Sequence, residues 1–207
     1  MSDERTDTER ELMAATGAAL AEHGVAGVTT QKIADEWGRA QSLVHYYYDT
    51  KEDLIVAYVE ALHERMADEY AEMADDPPLD RLEWSLVGGI DYHPDGSEQV
   101  NALYDLHGEA PHNERYRAAL DDFEDAGRRF LETAIRDGVE EGTFRGVDPE
   151  AAATFLLSAS DGVLLRTVSL RRADDAPLFR AGAERYVDEV LLTDEAREAW
   201  DGFAEGD

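Results

Sequence analysis

The sequence predicts an all-α protein, and three observations support this fold class. Apolar residues recur at the helical spacing of three or four along the chain, whereas the strict alternation of half-buried strands is nearly absent. Caps and helix-breaking residues divide the chain into segments of helical length. With 207 residues, of which 43% are hydrophobic, the chain can bury a real core. This length fits one small module joined to one larger body.

The small module is predicted at residues 1–50. Its first helix begins at about Asp7 and stops at Gly24. Thr29 or Thr30 caps a short second helix, which Gly38 ends, and a third short segment, AQSLVHYYY, follows directly. One longer helix and two short ones with this punctuation indicate a compact N-terminal domain.

The larger body is predicted at residues 51–207. Thr50 and Asp53 form a capping-box pattern that begins a long helix. The helices that follow are expected, in chain order, at residues 79–89, 98–107, 114–141, 149–170 and 177–192. Pro149 and Pro177 each fit the first turn of a helix, where the missing N–H costs nothing. The segments DYHPDGS, GEAPHN and RGVD are expected to be loops.

The charge of the chain is its most unusual property. The 48 acidic and 19 basic residues give a formal net charge of -29. The acids are interleaved with apolar residues, so they decorate folded helices rather than a disordered tail. Lys32 and Lys51 are the only lysines, and the other 17 basic residues are arginines. Because molar salt shortens the Debye length to ~3 Å, this surface suggests a cell that accumulates salt, with an ordinary acidic protein as the alternative.

One window of the chain has no net charge. From Val25 to Lys51 three basic residues balance three acidic ones, so the other 180 residues carry the whole net charge. DNA, a polyanion, is therefore expected to approach at this window and nowhere else. A short capped helix, a turn at Gly38 and a second short helix occupy the window, which is the pattern of a helix-turn-helix. The alternative is a helix pair that only covers a bundle.

Three features stand together between Glu11 and Leu62, namely the capped helix TTQKIA, the turn at Gly38 and the closing segment HYYYDTKEDL. In these features the segment resembles the N-terminal domain of the tetracycline-repressor (TetR) family. The resemblance implies a homodimeric transcriptional regulator, most simply a repressor, that binds a palindromic double-stranded operator and is released by a small molecule. Whether the chain represses or activates does not follow from the residues.

The resemblance also implies which residues contact DNA. Thr30 and Gln31 would touch the phosphate backbone or an outer base. Gln41 and Ser42 would reach base edges, since a glutamine can pair with adenine N6 and N7. The remaining expected contacts are those of His45, Tyr46 and Tyr47 with backbone or thymine methyls, and of Lys51 with a phosphate. Tyr48 is assigned to the core.

The sequence departs from the family pattern around the turn. Arg39 stands where an aliphatic residue is usual, and it can reach a phosphate or a guanine. Ala40 replaces the usual serine cap, which leaves the register of the third helix open by one residue. His45 replaces a common tyrosine, so its contact can depend on pH.

The body is expected to dimerise and to bind the effector. The resemblance places the dimer interface on the last two long helices, at about 149–170 and 177–192. The segment AAATFLLSASDGVLL fits this role because Asp161 is its one charged residue. Effector pockets of the family lie among the middle helices, where this chain offers aromatic and histidine side chains that are otherwise plain core, principally Trp84, Tyr104, His107 and Phe123, with Tyr92 and Phe130 as further candidates.

Other classes of function have weaker support. The chain has no cysteine, and it shows no glycine-rich phosphate loop or nucleophile elbow, so we expect neither an enzyme nor a cofactor. His107 and His112 lie across a proline-broken loop, and we expect no metal there. With no export signal and no run of about 18 apolar residues, we expect a cytoplasmic protein that is not in the membrane. An all-α enzyme and an acidic protein-protein adaptor remain the alternatives.

Overall fold

The computed structural model describes residues 6–88 and 98–204, and within them it confirms the all-α class. The helices, in chain order, are α1 (Asp7–Gly27), α2 (Thr30–Trp37), α3 (Gln41–Tyr47), α4 (Lys51–Glu72), α5 (Pro78–Glu83) with a π-helical turn (Trp84–Gly88), α6 (Glu98–Glu109) with a 3₁₀ turn (Ala110–His112), α7 (Glu114–Glu141), α8 (Pro149–Leu170), α9 (Asp175–Tyr186) with a π-helical turn (Val187–Leu191), and α10 (Asp194–Ala199). The β structure in these residues is one isolated bridge between Phe144 and Leu192.

The chain divides into two compact units. The first unit comprises Met1–Ala67 and Ser97–Phe123, and the second comprises Asp68–Gly96 and Glu124–Asp207. In the first unit α1 packs against α2 and α6. These units are compact regions of the chain and not functional domains, so the functional boundary predicted at residue 50 stays a prediction.

The core of the first unit joins the helix-turn-helix to the helices around it. Leu12 and Leu20 of α1, Ile33 of α2, Val44 of α3 and Leu54 of α4 are among its fully buried side chains. In α1 and α4 the buried residues recur at spacings of three or four, which places them on the inner face of each helix. Burying an aliphatic side chain of this size contributes about 1.5–3 kcal/mol, so this core fixes the orientation of α3.

The second unit has its own core. Leu82, Leu131, Ile135 and Leu191 are fully buried in it, together with Phe144. A further set of buried residues comes from the inner face of α8, namely Ala152, Ala153, Leu156, Ser160 and Val163. α8, whose sequence is nearly uncharged, therefore has one face buried in this core and the other face exposed.

Several predicted boundaries are corrected by the structure. α1 does not stop at Gly24: the glycine takes φ 66° and ψ 166°, and a last helical turn continues to Gly27. α9 begins at Asp175, so Pro177 is its third residue rather than its first. Only the first four N–H groups of a helix lack a partner, so proline is tolerated at that position too. The segment expected as a loop at GEAPHN is largely helical, through Glu109 and the 3₁₀ turn.

Other boundaries agree with the prediction. α7 and α8 begin and end as expected, and Asp148 caps α8 with Pro149 in its first turn. The segment RGVD is a loop, as predicted. The expected loop DYHPDGS lies outside the described residues.

Candidate nucleic-acid interface

The turn between α2 and α3 depends on Gly38. This residue has φ 67° and ψ 27°, the left-handed conformation that costs a residue with a Cβ about 1–2 kcal/mol. Its N–H donates to the carbonyl oxygens of Ala34 and Asp35, and the Arg39 N–H also donates to Ala34 O. These bonds close the C-terminus of α2 and direct the chain into α3. Gly38 therefore sets the angle at which α3 leaves the turn.

The two helices begin in different ways. Thr29, not Thr30, caps α2, because the Thr29 Oγ1 accepts the Lys32 N–H at 3.2 Å. Ala40 precedes α3 and supplies no side-chain cap, because a methyl group cannot accept a hydrogen bond. α3 therefore begins without a side-chain cap, and the departure from the family pattern at this turn stays a prediction.

Three of the predicted DNA-binding residues meet one another. The Gln41 Nε2 donates to the Thr30 Oγ1 at 2.9 Å, and the His45 Nε2 lies 3.5 Å from the same oxygen. Thr30 and Gln41 are half-buried, whereas His45 is exposed. A polar cluster thus bridges the first turn of α2 and the outer face of α3. The sequence placed these residues on neighbouring helices but did not indicate that they bind each other.

The aromatic run at the end of α3 is divided between surface and core. Tyr46 is 78% exposed, and its ring meets Tyr47 edge-on, with 5.2 Å between centroids. Tyr47 in turn meets Trp37 edge-on at 6.3 Å and packs against the core of the first unit. Tyr48 packs against the same core, as predicted. Tyr46 is the tyrosine of this run with the most accessible ring.

The chain's two lysines both bind the C-terminal end of α1. The Lys51 Nζ donates to Val25 O at 3.0 Å, and the Lys32 Nζ donates to Gly27 O at 2.9 Å. The last carbonyls of a helix lack helical partners and carry its negative dipole end, so ammonium groups are favourable there. Lys51 therefore has a structural partner in addition to its predicted phosphate, a role that the sequence did not indicate.

Two other predicted contact residues also have partners in the described structure. Arg39 lies 3.6 Å from the carboxylate of Glu11, and both side chains are more than half exposed. Gln31 donates to Asp35 at 2.7 Å. An exposed ion pair and an exposed hydrogen bond of this kind are each worth little, so either side chain can leave its partner for a phosphate.

The start of α4 is held by a capping box. The Thr50 N–H and hydroxyl both donate to the Asp53 carboxylate, and the Asp53 N–H donates back to the Thr50 Oγ1. Arg115 also donates to Asp53 at 2.7 Å. The Thr50 hydroxyl first, and Arg115 second, lower the pKa of Asp53. Asn113 donates to Glu52 at 2.8 Å, so the beginning of α7 is tied to the beginning of α4.

Asp105 makes a contact that sequence reasoning missed. Its carboxylate accepts the Val25 N–H at 3.2 Å, beside the kink at Gly24. The two residues are 80 positions apart. A lone aspartate on a helix gives no sequence signal for such a contact, which depends on the packing of α6 against α1.

The predicted effector residues fall in different units. In the second unit Trp84 meets Tyr70 and Phe130 edge-on, at 5.5 and 6.1 Å, while Tyr70 and Phe130 stack at 4.1 Å. In the first unit Tyr104 and His107 lie 6.0 Å apart, and Phe123 packs against the core. Tyr92 lies outside the described residues.

The aromatic cluster of Tyr70, Trp84 and Phe130 has an acidic environment. Burial, followed by the charges of Glu69, Glu124 and Asp161, raises the pKa of Tyr70. Tyr70 was not predicted to be part of an effector site. In the described part of the chain, no group of three histidine or acidic side chains is arranged to hold a metal ion.

Two family models match the chain. The model described as "Bacterial regulatory proteins, tetR family" matches residues 12–58, which include α2, the turn and α3. The model described as "BetI-type transcriptional repressor, C-terminal" matches residues 78–192, more than half of the chain. The chain belongs to the TetR family.

Relatives with known structures or functions agree with this assignment. A TetR transcription regulator of Haloarcula marismortui is 34% identical, with a TM-score of 0.82 over 90% of this chain and 99% of that one. An HTH-type transcriptional repressor of Streptomyces coelicolor is 27% identical over 161 residues, 73% of this chain and 75% of that protein. A transcriptional regulator of Saccharomonospora viridis, solved in complex with choline, has a TM-score of 0.79 over 91% of this chain and all of that one, but at 19% identity it shows the fold alone.

TetR proteins are DNA-binding transcriptional regulators rather than enzymes, and this chain has that function. Members of the family bind operator DNA, act as dimers and respond to small molecules. The polar cluster of Thr30, Gln41 and His45 lies within the segment that the DNA-binding family model matches.

Proposed function

We propose that this TetR-family regulator is a homodimeric repressor that binds a palindromic operator through α3 and is released by a small molecule. The outer face of α3 carries the proposal, since Gln41, Ser42, His45 and Tyr46 lie on it at helical spacing. Amide, hydroxyl, imidazole and aromatic groups suit base edges and thymine methyls. The face lies in the neutral window of a chain whose remainder repels nucleic acid.

The backbone contacts of the operator come from the residues around this face. Lys51, Arg39, Gln31 and Tyr47 are the phosphate-binding candidates. Phosphate contacts fix the register of a protein on the duplex but carry no sequence information. Specificity is therefore assigned to α3, and attachment to the residues that flank it.

The dimer interface is proposed on the outer faces of α8 and α9. Phe155, Leu165 and Leu170 of α8 are 57%, 44% and 64% exposed, and Leu178 of α9 is 72% exposed. So much exposed apolar area is unfavourable in water, and a second copy of the same surface can cover it through a two-fold contact. A dimer also doubles the short site that one recognition helix reads.

A membrane-spanning role for α8 is the alternative to a dimer interface. By length and composition α8 could cross a bilayer, and 28% of its most apolar window is buried within the chain. Its inner face, however, belongs to the core of the second unit, where the Ser160 hydroxyl donates to Leu86 O. We propose that α8 packs against a second copy in the cytoplasm, because a helix that spans lipid would have to leave this core.

The effector site is proposed among the middle helices. Tyr104, His107 and Phe123 are its candidates within the first unit, and Trp84 is its candidate within the second. Within the second unit the rings of Tyr70, Trp84 and Phe130, with carboxylates nearby, favour an organic cation, because ring faces and acidic charge both attract positive charge. The choline seen in the Saccharomonospora viridis regulator is a ligand of that chemical class.

The cation proposal is tested by a matched pair of ligands. Choline should raise the melting temperature and weaken operator binding, whereas 3,3-dimethylbutanol, its neutral isostere, should do neither. Equal effects of the two compounds would contradict a cation site. No effect of any organic cation on operator affinity would contradict the proposed class of effector.

The salt-accumulating origin stays a proposal that rests on the acidic surface. If it is right, the melting temperature should rise steadily from dilute to molar potassium chloride, because salt screens the repulsion among carboxylates. A flat or falling profile would favour an ordinary acidic protein.

Operator binding is tested by selection from random DNA at high salt, together with measurement of mass in solution. The proposal predicts an enriched inverted repeat with half-site centres about 34–36 Å apart or a multiple of that distance, bound by a protein of dimeric mass. A monomeric mass or the absence of any enriched sequence would contradict it.

A further inference from the structure

The hydroxyl of Thr30 is not needed as a helix cap and is available for another contact. Thr29 already caps α2, through its bond from the Lys32 N–H. Thr30 is the first residue of α2, and its half-buried hydroxyl accepts a hydrogen bond from the Gln41 Nε2 at 2.9 Å. The hydroxyl of Thr30 is thus engaged with the side chain that is the best candidate for reading a base.

This bond determines how the amide of Gln41 is presented. A glutamine amide has two N–H donors and one carbonyl acceptor. One N–H of Gln41 is held by Thr30, which leaves the other N–H and the carbonyl for a ligand. Adenine presents one acceptor, N7, and one donor, N6–H, in the major groove, and it pairs with one N–H and one carbonyl. The bond to Thr30 therefore leaves one donor and one acceptor, which are the groups that adenine needs.

The bond also restricts the side chain before DNA arrives. A free glutamine side chain samples many rotamers and loses that freedom when it binds. The side chain of Gln41, on α3, is held against α2, because its partner Thr30 lies on that neighbouring helix, 11 residues earlier in the chain. The Thr30 oxygen also lies 3.5 Å from the His45 Nε2, so its own O–H can donate to that nitrogen in the tautomer that carries its hydrogen on Nδ1. The three side chains form one preorganised group, and preorganisation increases affinity by reducing the ordering cost of binding.

We propose that Thr30 is a positioning residue that sets the base preference of Gln41, rather than a residue that acts through a phosphate contact. This inference rests on the proposed operator binding through α3. The two roles of Thr30 differ in a measurable way. Loss of a phosphate contact weakens binding to all DNA alike, whereas loss of a positioning bond weakens binding only where Gln41 meets its preferred base.

The test uses the full-length protein at one high salt concentration and a double-mutant cycle. The variants are Thr30→Val, which keeps the shape of the side chain but removes the acceptor; Thr30→Ser, which restores it; Gln41→Ala; and Thr30→Val combined with Gln41→Ala. Each is titrated onto the selected operator, onto the operator with the base opposite Gln41 exchanged, and onto random DNA. Thr29→Val is the matched control, since it makes the same chemical change one residue earlier and removes only the helix cap.

We expect Thr30→Val to lower affinity for the operator by about threefold to tenfold and to leave affinity for random DNA unchanged. Thr30→Ser should bind as the native protein does. In the Gln41→Ala background Thr30→Val should have no further effect, because the group that it positions is gone. Thr29→Val should lower the melting temperature but keep the ratio of operator to random affinity.

Two results would overturn the positioning role alone, namely an equal loss on operator and random DNA, or an undiminished effect of Thr30→Val in the Gln41→Ala background. Failure of the native protein to enrich any sequence would overturn the proposed function and the positioning role together. The two failures are distinguished by whether an operator is found at all.

Discussion

The outer face of α3 and the outer faces of α8 and α9 present opposite chemistry. The first carries polar side chains that are held by one another, as Gln41 is by Thr30. The second carries large apolar side chains, such as Phe155 and Leu178, that are more than half exposed. Apolar area stabilises association without demanding a precise partner atom, whereas hydrogen-bonding groups penalise a wrong partner. We infer that α8 and α9 provide affinity between copies, and that α3 provides discrimination among DNA sequences.

The largest effect is expected when the apolar face is given a charge. Phe155→Glu should convert the dimer into a monomer, because an unpaired carboxylate buried at an interface costs several kcal/mol. Operator affinity should then fall by about 100-fold or more, since each half-site must bind alone. Sedimentation and fluorescence anisotropy measure the two effects.

Thr133→Glu is the control for this variant, because Thr133 lies exposed on α7 in the same unit and receives the same added charge. It should leave mass and affinity unchanged. If Phe155→Glu stayed dimeric, the interface would lie elsewhere and the comparison between the two faces would fail.

A smaller effect on DNA binding is expected beside α3, where the chain's two lysines can be compared with each other. Both bind carbonyls at the end of α1, but only Lys51 is proposed to hold a phosphate. Lys51→Ala should weaken operator and random DNA alike, and it should reduce the salt slope of log K by about one, since one counterion is no longer released. Lys32→Ala should lower the melting temperature similarly without changing that slope. Equal slopes for the two variants would mean that Lys51 is purely structural.

The smallest effect concerns Asp53, which belongs to neither face but holds α4 behind the helix-turn-helix. Its pKa in the folded protein is below the ordinary value of 3.8, first because of the Thr50 hydroxyl and then because of Arg115. The stability that it contributes is therefore present above pH 4 and is lost as the pH falls through the lowered pKa. Urea unfolding should show Asp53→Asn to be less stable than the native protein at pH 7, with the difference shrinking in acid.

Asp49→Asn, an exposed change of the same charge, is the control for Asp53→Asn. It should give no comparable difference at pH 7. A stability difference for Asp53→Asn that stays constant from pH 3 to pH 7 would show that the capping box does not depend on ionisation.

The features that the sequence predicted correctly are those set by neighbouring residues. The capping box of Thr50 and Asp53 spans four positions, the turn needs only Gly38, and α8 begins where Asp148 and Pro149 occur together. Each of these is local chemistry with a known backbone consequence. The all-α class and the helix-turn-helix follow from such signals and from the helical period.

The features that the sequence could not predict are contacts between distant residues. Lys51 binds a carbonyl 26 residues earlier, and Asp105 binds an N–H 80 residues earlier. Nothing in the residue types selects these partners from the many other polar groups, since the choice depends on how α1, α4 and α6 pack. The bond from Gln41 to Thr30 is of the same kind, because it required the angle between α2 and α3.

The central claim, that Gln41 on α3 reads a base in each half of a two-fold operator, has one direct test. Selection from random DNA at high salt is carried out with the native protein and with Gln41→Ala. We expect the same inverted repeat for both proteins, with one position in each half-site losing its preference in Gln41→Ala, and a loss of about 1–3 kcal/mol in binding to the native operator. Identical base preferences for the two proteins would contradict the claim and would place the reading residue elsewhere on α3.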